Sequence, residues 1–220
     1  MDAERPDAVW CLGDTVGYGP APNECCAEVE RRADLCLVGN HDLAVLGRID
    51  LGEFTGDAAA AARWTRGELA DGARAFLERL EPKAALEGVA LFHGSPTDPV
   101  WDYVLSAEAA LAALRLASAP LVLVGHSHVA LQVSLVGAQL GGGVASAGTA
   151  LDLSRGRFLL NPGSVGQPRD GDPRAAWLLL DLERRFAEFR RVPYAIQQTQ
   201  EEIRARGLPE PLAARLAHGH

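Results

Sequence analysis

Leu121-Val-Leu-Val-Gly-His-Ser-His128 is an apolar run that breaks at Gly125 and delivers two histidines on alternate positions. Two chemistries compete for it. Read as Gly-x-Ser, it opens a nucleophile elbow in which Ser127 attacks an ester. Read as Gly-His-x-His, it is a metal-binding turn with His126 and His128 as ligands. An elbow of the form Gly-x-Ser-x-Gly needs its last glycine because the strand-to-helix turn leaves no room there for a side chain. This chain has Val129 at that position, and the stretch onward to Leu135 has strand rather than helix character. The metal reading therefore takes precedence.

Three earlier apolar runs end in the same manner. Ala8 to Leu12 ends at Gly13-Asp14, Leu35 to Val38 at Gly39-Asn40-His41-Asp42, and Val89 to Phe92 at His93-Gly94. Each is short and apolar throughout, as a strand buried on both faces is. Between them lie a Gly- and Pro-rich loop from Thr15 to Pro22 and a helix to about Ala33 that Asn23 can cap. Further on, Ala58 to Leu80 predicts one or two amphipathic helices interrupted near Asp71-Gly72, and Ser106 can cap a helix to about Ala117. In open α/β sheets the carboxyl ends of strands line the ligand crevice, so the residues that follow the four strands should converge. A lone Asp after Gly is ordinarily a turn residue, and a lone His at a strand end is ordinarily structural. Four such ends together point to a site for a hard or borderline metal.

From Val129 onward the pattern changes to strands and Gly-rich turns. Val129 to Leu135, a loop around Gly141-Gly-Gly143, Arg157 to Leu160, Ala175 to Leu182 and Phe186 to Val192 predict antiparallel structure, as a second sheet or the far edge of the first. The tail, Ala195 to Arg206 and Pro211 to His218, reads as helical and polar, with no function evident in it and with His218 and His220 in solvent.

At 220 residues with 48% hydrophobic and 23% charged, the chain suits one α/β domain over residues 1–220 with its own core. The 21 Lys and Arg against 29 Asp and Glu give a net charge of -8, which repels a phosphate backbone and argues against extended nucleic acid as a partner. Cys11, Cys25, Cys26 and Cys36 lack Cys-x-x-Cys spacing and read as reduced thiols. No stretch has the length of a membrane span, and Met-Asp-Ala-Glu-Arg-Pro lacks a signal-peptide profile, so a cytoplasmic protein with no membrane partner is expected.

With these residues assembled, the chain resembles the calcineurin-like metallophosphoesterases, in particular their small single-domain bacterial and archaeal phosphodiesterase branch. The resemblance rests on Gly13-Asp14-Thr-Val-Gly-Tyr-Gly-Pro20, Gly39-Asn-His-Asp42, His93-Gly94, Gly125-His-Ser-His128 and Asn161-Pro-Gly-Ser-Val-Gly-Gln-Pro168, in that order. It implies an α/β fold, a four-layer αββα sandwich of two mixed β-sheets flanked by helices. It also implies two divalent metal ions, with Mn, Fe, Zn or Ni all suited to the donor set. Asp14 would bridge them, Asn40, His93 and His126 would complete one shell, and His128 would serve the other metal. His41 would protonate the leaving oxygen, with Asp42 a candidate for holding it. Paired cations would acidify a bridging water to hydroxide and neutralise charge on the phosphoryl oxygens.

One family motif is absent. No Asp-x-His occurs in the chain, and only twelve residues precede Gly13, too few for the family's first strand, that loop and its helix. The implied first metal would then keep only Asp14 and His128. Loss of that strand would also uncover an apolar edge beside Leu12, a pairing hazard that makes a homo-oligomer one expected outcome. A start codon assigned too late is the favoured account.

Other candidates are weaker. Ser164 could meet a substrate phosphate or simply close a turn. Arg169 could bind phosphate or pair with Asp170 and Asp172. Tyr18, Trp101 and Tyr103 could wall a pocket or pack. The expected activity is metal-dependent hydrolysis of a small phosphorylated substrate, more a phosphodiester than a monoester. The competing classes are a non-catalytic binding scaffold on the same fold, against which retention of Asn40, His41 and His126 argues, and a nuclease, which the acidic balance disfavours.

Overall fold

The structure, a computed structural model, describes residues 4–220. The chain runs through β1 (Trp10–Cys11), α1 (Pro22–Arg32), β2 (Leu35–Cys36), α2 (Asn40–Val45), α3 (Gly56–Glu68), α4 (Asp71–Glu78), β3 (Lys83–Leu86), β4 (Val89–Phe92), α5 (Ala107–Leu116) and β5 (Leu121–Val124). It continues through β6 (Ala130–Val136), β7 (Gln139–Val144), β8 (Ala150–Asp152), β9 (Arg157–Pro162), β10 (Ala175–Asp181), β11 (Phe186–Val192), α6 (Ile196–Ala205) and α7 (Glu210–Ala214).

Six strands form a mixed sheet in the order β3-β4-β5-β9-β6-β7, parallel across β4, β5 and β9 and antiparallel at its flanks. The unbroken apolar runs of its centre follow from burial on both faces. Leu121 and Leu123 of β5, with Leu91 of β4 and Leu160 of β9, point into one core, while Val122, Val124 and Leu159 point into another beneath α5. Ser106 caps α5, its Oγ accepting from the Ala109 N-H at 3.2 Å.

The opposite face packs on a second β layer made of two separately hydrogen-bonded pieces, the parallel pair β1-β2 and the antiparallel set β10-β11-β8. On β2, Leu35 faces the sheet, whereas Cys36 faces the helical cluster that includes Cys26, Val45, Ala62, Phe76 and Leu77. The layers are thus helix, sheet, sheet, helix. All four cysteines are free thiols, and among the described residues no helix is long and apolar enough to cross a membrane.

Three local expectations are corrected. Gly141-Gly-Gly143 is not a loop but part of β7, where Gln132 pairs with Gly143 and Val133 with Gly142. A Cβ on Gly142 would lie 2.1 Å from the Gln132 carbonyl oxygen, so the glycine serves close strand approach instead of a turn. Asn23 is not the cap of α1, which begins at Pro22. Its side chain donates to the Glu68 carbonyl (2.9 Å) and accepts from the Ala70 N-H (2.8 Å), and so closes α3 at Leu69 and Ala70, two residues before the expected break. The tail is not merely polar. Ile203, Leu208, Leu212 and Leu216 are buried against Ala61 of α3, with Tyr18 and Trp64 at the edge.

Candidate metal centre

The two parallel pairs, β1-β2 and β4-β5, bring their carboxyl ends to one place. Asp14, His126 and His128 all hold left-handed backbone conformations, with φ of 55°, 59° and 59°. Side chains other than Gly rarely adopt that region, and such strain clusters at functional sites. Gly39 is required by proximity: a Cβ there would lie 2.0 Å from Asp14 Oδ1 and 2.6 Å from His93 Cε1.

His93 stands at the centre and is 1% exposed. Its Nδ1 lies 2.8 Å from the Leu12 carbonyl oxygen, a contact that fixes the proton on Nδ1 and leaves Nε2 as a lone-pair donor. Around that Nε2 lie His126 Nδ1 at 3.2 Å, Asn40 Oδ1 at 3.3 Å and Asp14 Oδ2 at 3.5 Å. Two ligands about 2.1 Å from one cation, at octahedral to tetrahedral angles, are separated by about 3.0–3.4 Å, so these spacings fit a shared coordination shell. The buried Asp14 Oδ2 also has no hydrogen-bond partner among the described residues. An orphaned carboxylate oxygen facing lone-pair nitrogens is what a cation would satisfy. Asp14, His93 and His126 form a donor cluster within 4.8 Å; His128 lies outside it. The His128 Nδ1 is 2.8 Å from the Gln167 carbonyl oxygen, which leaves its own Nε2 unprotonated.

The electrostatics agree with a site that expects positive charge. Burial pushes the Asp14 carboxyl up to about 7, against hydrogen bonds and the Arg169 charge. Burial brings His126 and His128 down to about 3, with neighbouring His93 or Arg169 adding to it, and His93 also lies below the usual range. The imidazoles are therefore neutral ligands at physiological pH.

His41 is buried beside this cluster. Its backbone N-H donates to Asp14 Oδ1 at 2.9 Å, its Nδ1 has no hydrogen-bond partner among the described residues, and its ring packs on Tyr18 (4.3 Å) and Phe54 (5.0 Å). Burial first, then the His128 and Arg169 charges, hold it well below the usual histidine range. The Asp42 carboxylate accepts from the N-H groups of Val16 (3.0 Å) and Gly39 (2.9 Å). It therefore ties the Asp14 loop to the Asn40 loop.

A cleft of about 800 Å³ opens beside the cluster and borders it at Asn40 and His41, with Tyr18, Phe54, Trp101, Tyr103, Arg169 and Arg215 of the tail also in its lining. Arg169 pairs with neither candidate carboxylate, since Asp170 binds Arg191 and Asp172 binds Arg174. Its guanidinium instead donates to Tyr18 Oη (3.1 Å) and Gln167 Oε1 (2.9 Å) and lies over the Tyr18 ring. Ser164 is absent from the cleft lining; its Oγ accepts from the Gln167 N-H at 2.9 Å and closes the turn. The sequence singles out the Asn161 motif but assigns Asn161 itself no task. Its amide donates to the Gly125 carbonyl (2.6 Å) and Ser127 Oγ (3.0 Å), while its Oδ1 accepts from the Gly163 N-H (2.9 Å), so it braces the loop that carries both histidines. A buried-looking Asn at the end of an apolar strand was the available signal.

The calcineurin-like phosphoesterase superfamily domain matches residues 1–185. A metallophosphoesterase from Sphaerobacter thermophilus superposes with a TM-score of 0.90 at 39% identity, covering 100% of this chain and 91% of that one. The uncharacterized protein MJ0912 of Methanocaldococcus jannaschii is 35% identical over 216 residues, 96% of this chain and 86% of its own. The hypothetical protein PH1004 of Pyrococcus horikoshii shares the fold, with a TM-score of 0.75 at 21% identity over 96% and 84% of the two chains. With the converging donors of Asp14, His93 and His126, these likenesses place the chain in the calcineurin-like phosphoesterase superfamily, as a metal-dependent hydrolase of phosphoric esters.

Proposed function

We propose that the chain hydrolyses small phosphodiesters, with Asp14, Asn40, His93 and His126 holding one divalent cation and Asp14 with His128 offering a second site. The observation that carries this reading is the set of three donors within 3.5 Å of His93 Nε2, beside His41 and a cleft of molecular size. When bound, divalent cations supply Lewis acidity, which acidifies water and neutralises charge on phosphoryl oxygens. The remaining work belongs to side chains. Arg169, which lines the cleft with no carboxylate partner among the described residues, draws the phosphate toward the donors. Incoming negative charge raises the proton affinity of His41 so that it is protonated in the complex, and it then delivers that proton to the departing ester oxygen.

A diester fits the walls better than a monoester. Tyr18 and Phe54 flank His41, while Trp101 and Tyr103 flank His126, so an ester group can lie to each side of phosphorus. The net charge of -8 opposes a polymeric nucleic acid. Nitrogen and oxygen donors suit manganese, iron, zinc or nickel. The test is turnover of bis(p-nitrophenyl) phosphate by purified protein supplied with Mn²⁺. Turnover should vanish with chelator and fall at least about a hundredfold in Asn40→Ala or His93→Ala. Undiminished turnover in either variant contradicts the assignment.

A further inference from the structure

Arg215 follows α7, beyond the residue at which the matched family domain ends. It nevertheless lines the cleft together with Pro211, Ala214 and His220. Its position is fixed. Leu212 and Leu216 on either side of it are buried, Gln200 Nε2 donates to the Ala213 carbonyl at 2.9 Å, and the Gly171 N-H donates to the Gly219 carbonyl at 3.0 Å. That last bond fastens the tail to the segment bearing Arg169. The Arg215 Nε donates to the Pro211 carbonyl at 3.2 Å, and its guanidinium lies 5.8 Å from the Tyr18 ring centroid, whose other cationic neighbour is Arg169 at 5.4 Å.

Among the described residues no carboxylate pairs with Arg215, although the chain carries 29 acidic residues. Glu53, the acidic residue of the cleft lining, makes no ion pair with it. A half-buried guanidinium kept free of carboxylates in an acidic protein is a poor use of charge unless an anion arrives from outside. The two arginines differ in attachment. The Arg169 N-H is bonded to the His128 carbonyl at 3.0 Å, on the donor loop, whereas Arg215 belongs to the tail. The two guanidiniums, both beside the Tyr18 ring, therefore reach the cleft from different elements of the chain. Tyr103 adds a second feature: one face is stacked on His126 at 3.9 Å, and the residue is 46% exposed, which leaves surface for a planar ring.

We propose that Arg215 binds a second phosphate of the substrate, and that the preferred substrates are small phosphodiesters carrying a further phosphate and a planar ring, with the scissile diester at the donor cluster and the other phosphate at the tail. This rests on the phosphoesterase reading of the same cleft, and the two are separable by experiment. Calorimetric titration of the Mn²⁺-loaded protein with adenosine 3′,5′-bisphosphate and with adenosine 5′-monophosphate should give about tenfold tighter binding of the bisphosphate. In Arg215→Gln that preference should disappear, while in Arg215→Lys, which keeps the charge, part of it should remain. An unchanged thermal midpoint in both variants shows that the tail still docks. Equal affinities in the wild-type protein, a preference that survives Arg215→Gln, or its complete loss in Arg215→Lys overturns the inference. If the wild type hydrolyses bis(p-nitrophenyl) phosphate yet shows no preference, only the second-phosphate assignment falls. If it hydrolyses no phosphoester, the underlying reading falls and takes the substrate assignment with it.

Discussion

Replacing Asn161 by Ala isolates the brace behind the histidine loop. The side chain is 1% exposed and makes three hydrogen bonds, to the Gly125 carbonyl, Ser127 Oγ and the Gly163 N-H. At about 1 kcal/mol net per bond the variant should lose about 3 kcal/mol, more if the Gly125 carbonyl and Gly163 N-H stay buried and unsatisfied. That sum is comparable to the strain it opposes. His126 and His128 both sit at φ 59°, and left-handed backbone costs roughly 1–2 kcal/mol per side chain. Without the brace the loop can relax to ordinary φ, and His126 Nδ1 then leaves its place 3.2 Å from His93 Nε2. A drop of roughly 6–12 °C in thermal midpoint is expected, together with a ten- to hundredfold loss of Mn²⁺ affinity, the usual effect of removing a residue that orients a ligand. Scanning calorimetry and metal titration measure the two separately. A lowered midpoint with unchanged Mn²⁺ affinity refutes the coupling between brace and ligand loop; no change in either refutes the brace itself.

Other outcomes follow from the same geometry. Asp14, pushed up to about 7, must lose a proton to bind a cation, whereas His126 and His128, brought down to about 3, need not. Mn²⁺ affinity should thus rise about tenfold per pH unit from pH 5 to about 7 and flatten above it, with one proton released per cation below 7. A slope of two or more, or none, contradicts the assignment. The buried pair of Asp170 and Arg191, with side chains 1% and 4% exposed, anchors the segment next to Arg169, because Asp170 Oδ2 also accepts from the Ala130 N-H at 2.9 Å. Asp170→Ala leaves the buried Arg191 guanidinium with only the more distant Asp172 carboxylate, 4.0 Å from its Nε, and two carbonyl acceptors, and should lower unfolding free energy by roughly 3 kcal/mol in urea titrations; a loss under about 1 kcal/mol would show that Asp170 is not the main partner of Arg191.

The four strand ends were legible because each strand is apolar on both faces and stops at a Gly or His, a local pattern that needs no long-range information. The same locality explains what was not. Gly142 looks like a turn former until the Gln132 carbonyl lies against it, and Asn23 looks like a cap until the α3 terminus, forty-five residues on, comes within reach of its amide. Asp42 could be placed near the site, but its bonds to Val16 and Gly39 depend on how two loops meet. The tail reads as polar because Gln197 to Arg206 is dominated by Gln, Glu and Arg, and only packing on Ala61 turns Arg215 toward the cleft.

One cation site among Asp14, Asn40, His93 and His126 underlies the chemistry above, and anomalous diffraction from crystals grown with Mn²⁺ locates it. A peak about 2.0–2.2 Å from Asp14 Oδ2, Asn40 Oδ1, His93 Nε2 and His126 Nδ1 is the predicted result. A saturating peak held by other residues, with these four atoms uncoordinated in crystals of active protein, would contradict it.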